Sequence, residues 1–404
     1  MTISQGINKT LAMKKQSGLG VPATGSGGQL IRREKSDLKL AKATHENTEI
    51  ASHQQSSGIT HGSRKATGGL SGLLSPGTYS ALLASLLRKA FAATTPITGM
   101  SVVIAGSGPT YTISRVSGSY LTDGIKIGDV GRLSAGSLNA ANINKNLVVT
   151  AASALSITVY PMNGVAMVAQ GPITGTTFTV TGKKSLAPLT GQTQEYWTAE
   201  EWYSDTSVSR YATDLMIGSA DIGLPSTGNA TLAFTMAGLD LSMGGSQILT
   251  SPTAETTTNV LTAVNGMVLS GGVKVATITG ATIKIDTSAD AMPGVIGSNV
   301  SPDVQRGRIK VSGQITVYHS GNDFSSVYLE GSNTQIVIIA ADSNSATADF
   351  VSFSIQAVKF SDDSLDDGEK GIVQTLPFTA EMNALGGTSL ANDKTIITIQ
   401  DSQA

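Results

Sequence analysis

Apolar and polar residues alternate over short stretches of this chain, and turn residues punctuate the stretches. Ser36-Asp37-Leu38-Lys39-Leu40-Ala41-Lys42-Ala43 has the period of two that marks a half-buried strand. Lys65 to Leu74 alternates again. Between them, Thr44 to Ser63 is polar and predicts a long loop of the kind that serves binding or assembly. After Ser75-Pro76-Gly77 the period changes. Thr78 to Ala92 places Leu82, Leu83, Leu86, Leu87 and Phe91 on one side, which predicts a helix laid on a sheet.

From Pro96 to about Pro188 the segments are short and rich in Val, Ile and Thr, with Gly, Asn and Asp turns between them. That spacing predicts a small all-β sandwich or barrel. Gln194 to Tyr211 concentrates the aromatic residues, with Tyr196, Trp197, Trp202, Tyr203 and Tyr211. Strand-like runs return at Asp214–Ile222 and Ala230–Ala237, and the Gly/Ser/Thr-rich stretch 238–259 reads as a linker. At the other end, residues 1–30 read as an arm, with a Gly/Ser linker over Gly20–Gln29.

The second half echoes the first. Leu38-Lys39-Leu40 matches Ile283-Lys284-Ile285, and Arg64–Gly69 matches Arg308–Gly313. The Ser75–Tyr79 turn matches His319–Phe324, and Asp214–Ala237 resembles Phe350–Ala380. A duplicated architecture gives such matches, with residues 96–189 inserted into the first copy. The organisation read from this is an arm (1–30), a first domain made of 31–95 plus 190–245, the insert (96–189), a linker (246–259) and a second domain (260–404).

Composition narrows the function. The 404 residues include 45 Gly and no Cys, and only 14% are charged. Absence of Cys excludes disulfide scaffolds, thiolate metal sites and cysteine nucleophiles. No apolar run approaches the ~18 residues of a membrane span, and the first twenty residues hold no signal-peptide core, so a soluble product made inside the cell is expected. The charge is uneven: residues 1–95 hold 12 Lys/Arg against 4 Asp/Glu (+8), and the rest 15 against 25 (-10). A basic end and an acidic remainder are self-complementary, which either brings copies of the chain together or neutralises two faces within one copy. The basic residues lie scattered among Gly and Ser with few aromatics, which does not build a base-reading surface.

No catalytic motif emerges. His45, His53 and His61 are eight apart, wider than zinc pairs, with only Glu46 and Glu49 nearby. The acidic run Asp362, Asp363, Asp366, Asp367 and Glu369 fails as a calcium loop. An EF-hand begun at Asp363 puts Leu365 at position 3 and Gln374 at position 12, where a bidentate Glu is required. It reads instead as a solvated loop, or as a negative surface facing something negative that must not stick. Trp197, Trp202 and Tyr203 read as an anchor between domains or subunits, the alternative being a platform for a sugar. No cofactor and no metal site are expected.

Three stretches together resemble long-tailed (siphovirus-type) phage tail tube proteins. They are Leu30–Leu38 with His61–Arg64 and Leu73–Tyr79; Ser117–Gly124 with Ile127–Val130; and Gly371–Ala380. The resemblance implies a mainly β fold with two tube-type β-sandwich or barrel domains, each with a flanking helix, and the small all-β insert outside. It implies a non-enzymatic virion protein whose stacked rings form the conduit for genome delivery. A chain with two tube domains would close trimeric rings of pseudo-sixfold symmetry, the alternative being hexamers. Partners implied are other copies of the chain, a tape measure protein, and terminator and tip proteins. DNA would pass a neutral or acidic lumen without specific binding, with no membrane involved. Assembly would take place in the host cytoplasm and the product would reside in the virion tail. Arg32, Arg33, Lys35, His45, Glu46, Glu49, His53, His61 and Arg64 are the candidate ring or inter-ring contacts. The rival reading is an all-β surface adhesin that holds glycan through Trp197, Trp202 and Tyr203.

Overall fold

The structure is a computed structural model and describes residues 3–50, 52–53, 55, 58–321, 323–366, 369 and 371–404. It is mainly β. The chain opens with β1 (Lys9–Lys15), β2 (Lys39–Glu46), β3 (Ile59–Leu73) and helix α1 (Ser80–Leu87). Six strands follow: β4 (Ile97–Ala105), β5 (Tyr111–Arg115), β6 (Val130–Ser134), β7 (Leu147–Ala152), β8 (Ser156–Pro161) and β9 (Gln170–Val180). Then come β10 (Lys183–Leu186), β11 (Trp197–Tyr203), β12 (Val208–Pro225), β13 (Thr231–Gly238) and β14 (Asp240–Gly244). The remainder holds β15 (Thr262–Ser270), β16 (Ile278–Asp286), β17 (Lys310–Tyr318), α2 (Asp323–Glu330), β18 (Thr334–Ala341), β19 (Phe350–Phe360), β20 (Val373–Ala380) and β21 (Thr398–Asp401).

Two series of antiparallel neighbours organise the main sheet. The first runs β1-β11-β12-β13-β3-β2. The second runs β15-β18-β19-β20-β17-β16. Helix α1 leaves β3 and α2 leaves β17, the same place in each order. A ladder of seven residue pairs, Ser219–Pro225 of β12 with Gly280–Asp286 of β16, joins the series. Their inward residues form one apolar cluster, from Leu70, Phe234 and Ile217 to Ile283, Phe353 and Phe378. Strand β12 is buried almost continuously because both its faces are covered: Ile217 meets this cluster, and Met216 a second one with Tyr196 and Val304.

Strands β4–β9 close a separate barrel in the order β8-β5-β4-β9-β6-β7. It has its own core around Val102, Ile113, Val149 and Phe178. A further cluster packs Val130, Val148 and Met162 of the barrel segment against Met267, Leu269, Val337 and Ile339 on β15 and β18. The barrel, reached in sequence from the first series, therefore rests on the second.

Local structure departs from the sequence reading at four places. Helix α1 stops at Leu87, short of Ala92, because Arg88 takes a left-handed φ of 62° held by Gln192 and the Gly307 carbonyl. The polar stretch 44–63 is strand at its two ends, while the described residues between 47 and 58 are not: β2 runs to Glu46 and β3 starts at Ile59, both exposed there and so without an apolar face to alternate. The segment read as an arm contains β1, docked along all of β11 with Leu11 and Met13 buried. The linker-like stretch is pinned: β14 pairs with β12, and Leu249 is buried.

Candidate assembly surfaces

The chemistry of the chain lies in its ion pairs and its strand edges. Among the described residues there is no cluster of three or more His, Asp or Glu able to hold a metal. No helix of the structure is long and apolar enough to cross a membrane.

Several of the basic residues read as assembly contacts are used within the chain. Arg32 Nη1 donates to the Thr258 carbonyl at 2.6 Å, and Arg33 donates to the Lys9 carbonyl. Arg64 pairs with Asp240 at 2.7 Å. The others lie on the surface, Lys35 in the segment before β2 and the rest along β2, its connection to β3 and the start of β3. Lys35 lies 3.9 Å from Asp37, both exposed, and His45, Glu46, Glu49, His53 and His61 are exposed.

The aromatic cluster does not form one platform. Trp197 and Trp202 sit five positions apart on β11, so the alternation of the strand sends them to opposite faces. Trp197 is buried, its Nε1 donating to Ser85 Oγ of α1 at 3.1 Å and Lys15 Nζ lying 5.4 Å from its ring. Trp202 and Tyr203 are half-buried, and Lys9 stands over the Tyr203 ring. A stacked sugar would need adjacent open faces, which this geometry withholds.

The acidic run follows β19. Asp362, Asp366 and Glu369 are exposed, Asp363 accepts from Gln374, and Asp367 lies outside the described residues. Ser364–Leu365 forms a short ladder with Thr375 and Gln374 of β20. Among the described residues its other edge has no ladder partner, nor has the outer edge of β2. Unpaired edges of this kind recruit a further strand.

Other polar residues that shape the molecule had no motif to announce them. Glu200 is fully buried in β11 and accepts from Ser209 Oγ and from the backbone N–H groups of Ile248 and Leu249, both at 2.7 Å. Its neighbour Glu201 pairs with Lys9 at 2.7 Å, tying β1 to β11. Asp401 of β21 accepts from Gly77 N–H and Ser80 Oγ at the start of α1, and burial pushes its carboxyl up despite those donors. A pair of adjacent Glu in an otherwise apolar strand is the one sequence signal for such sites.

A comparison with known families then places the chain. Residues 6–380 match the model of the phage tail tube protein. The chain belongs to that family. No curated protein matches it. The match spans both strand series and the barrel, so the whole mainly β architecture is a tail tube protein, a structural component of the phage virion tail.

Proposed function

We propose that copies of this tail tube protein close into rings that stack helically into the conduit of a long, non-contractile tail, through which the genome leaves. The protein acts by assembly and catalyses nothing. The observation that carries this reading, beyond the family match, is the identical strand order of the two series, each with its helix after the fifth strand. Two equivalent tube domains per chain favour three copies per ring with pseudo-sixfold symmetry over six copies. The domains proposed are residues 31–95 with 190–245, and 260–404, joined by 246–259. The barrel within 96–189 would be an appended exterior module. Tape measure, terminator and tip proteins would be the partners, and DNA would pass without specific binding.

Open edges support self-association, since each joined edge satisfies backbone donors and acceptors that water otherwise serves. Negative-stain microscopy of the purified chain is the test. The expected end view is an annulus with six density lobes and threefold symmetry in its outer features. Compact single particles at every concentration and ionic strength would overturn the reading.

A further inference from the structure

We propose that the junction joining the two strand series inside one chain is repeated between chains. In this arrangement β2 of one copy adds to the open edge of Ser361–Asp366 in the next copy, and Asn47–Ile50 just beyond β2 settle on α2. The proposal rests on the tube-assembly reading and names the surfaces that would carry it.

The internal junction is the template. There β16 pairs with Ser219–Pro225, the part of β12 that runs on past its contact with β11. Lys284 and Asp221 stand opposite each other in that ladder, 3.9 Å apart. The chain that leaves β16 then crosses α1. Arg306 Nη1 donates to the Ser85 carbonyl at 3.0 Å, and Arg88 of the helix end donates to the Gly307 carbonyl.

Each part has a counterpart whose partner is missing. By strand order β2 corresponds to β16, and its outer edge has no ladder among the described residues. By the same order β19 corresponds to β12, and its continuation past Phe360 is Ser361–Asp366. Ile217 and Phe360 both face the main core, so Asp221 and Ser364, each four residues later, hold equivalent places. Lys39 pairs with Thr67 beside Gly68, as Lys284 pairs with Ser312 beside Gly313. Lys39 of one copy then falls opposite Ser364 of the next. Asp362 and Asp366 sit at the diagonal positions, about 7–8 Å away and within reach of a lysine. The charges suit each other: Lys35, Lys39 and Lys42, with Asp37 and Glu46 between and beyond them, approach Asp362, Asp363, Asp366 and Glu369. The Asp37 carboxylate is already engaged by the Gly69 N–H.

Helix cover gives a second, independent sign. Leu86 and Leu329 each lie two residues before a left-handed residue, Arg88 at φ 62° and Gly331 at φ 61°. Leu86 is 0% exposed and Leu329 81% exposed. The end of α1 carries the Arg306 segment, whereas α2 takes a hydrogen bond at Ser325 Oγ from Gln374 of its own sheet. The equivalent chain beyond β2 begins with Asn47–Ile50, where Ile50 is fully exposed.

Because the chain has no Cys, one pair of substitutions tests this directly. Ala41→Cys with Ser364→Cys leaves every charge in place, and a short bis-maleimide spans the diagonal. The expected result is a ladder of covalent oligomers that ends at the ring's copy number, from the double variant alone and not from either single one. Lys39→Glu is expected to abolish rings, and adding Asp362→Lys and Asp366→Lys to restore them. Rings that form normally in the double variant without cross-linking, and survive Lys39→Glu, would overturn this interface and leave the tube function standing. A wild-type chain that never forms an annulus would overturn both.

Discussion

The side-chain amide of Gln400 completes the backbone of Val130. Its Oε1 accepts from the Val130 N–H at 2.9 Å, and its Nε2 donates to the Val130 carbonyl at 2.8 Å and to Thr181 O at 2.7 Å. One side chain thus imitates a strand and fastens the barrel to β21. Gln400→Met removes donor and acceptor together and strands buried backbone groups, each at about 1–3 kcal/mol. A loss of about 2–4 kcal/mol is expected from the denaturant midpoint, with faster amide exchange at Val130.

Lys184 and Asp129 form a buried bidentate pair at 3.0 Å beside that joint. Burial pushes the Asp129 carboxyl up even with Lys184 against it. Burial pulls Lys184 down, but Asp129 and Asp393 outweigh it and the net direction is up. Removing one partner leaves an uncompensated charge, at about 3–5 kcal/mol. Asp129→Asn and Lys184→Met are each expected to destabilise by that order. The double variant should lose less than the two singles added, and a double-mutant cycle in urea measures the difference.

Much of the fold was legible because half-buried strands and an amphipathic helix print their period on the sequence. The Leu82, Leu83, Leu86 and Leu87 stripe is buried as the spacing predicted, and the β-rich character is plain from the Val, Ile and Thr runs. What stayed hidden lacked a period. The exposed ends of β2 and β3 have no buried face, so Thr44–Glu46 and Ile59–Ser63 carry no strand signal. Strand β1 is short, and its burial depends on β11, nearly two hundred residues away. The surface contacts were only partly legible: composition marks Arg32, Arg33 and Arg64 as basic, but their partners Thr258, Lys9 and Asp240 are set by the fold alone. Glu200 and Gln400 act through backbone groups, and those carry no sequence signature.

Alkaline pH should weaken the fold through Tyr79. Burial raises its hydroxyl from 10.0 to about 12, and the hydroxyl donates to the Arg32 carbonyl at 2.8 Å. The folded chain holds this proton more tightly than the unfolded one. Stability is therefore complete below about pH 10 and falls as pH rises towards 12. Lys184, also raised, acts in the same sense. Tyr79→Phe should flatten part of that decline in denaturant midpoints measured from pH 8 to 11.5. Gly72 leaves the hydroxyl its room: a Cβ there would lie 2.1 Å from it, so Gly72→Ala should destabilise at every pH.

A free arm over residues 1–30 could be deleted with the rest of the fold intact. The docked β1 predicts otherwise. Its removal takes Leu11 and Met13 out of the core, opens the edge of β11 and leaves Glu201 without Lys9. Leu11→Ala alone should lower stability by about 2–5 kcal/mol. The truncated chain should show a reduced thermal midpoint by calorimetry before any question of assembly arises.

The barrel gives the last prediction. Excising Ile97–Val180 with a short linker keeps β10, whose ladder with β21 belongs to the main sheet. It also uncovers Met267, Leu269, Val337 and Ile339, which the barrel now shields. A contiguous apolar patch on paired strands promotes aggregation. The plain deletion is therefore expected to aggregate, visible as material in the void volume on size exclusion. Thr at those four positions supplies β-branched strand formers while removing the apolar face. The polar-faced deletion should be soluble and form rings, as an appended exterior module allows. If it folds, judged by its circular dichroism and cooperative melting, yet forms no annulus, the barrel is part of the ring wall.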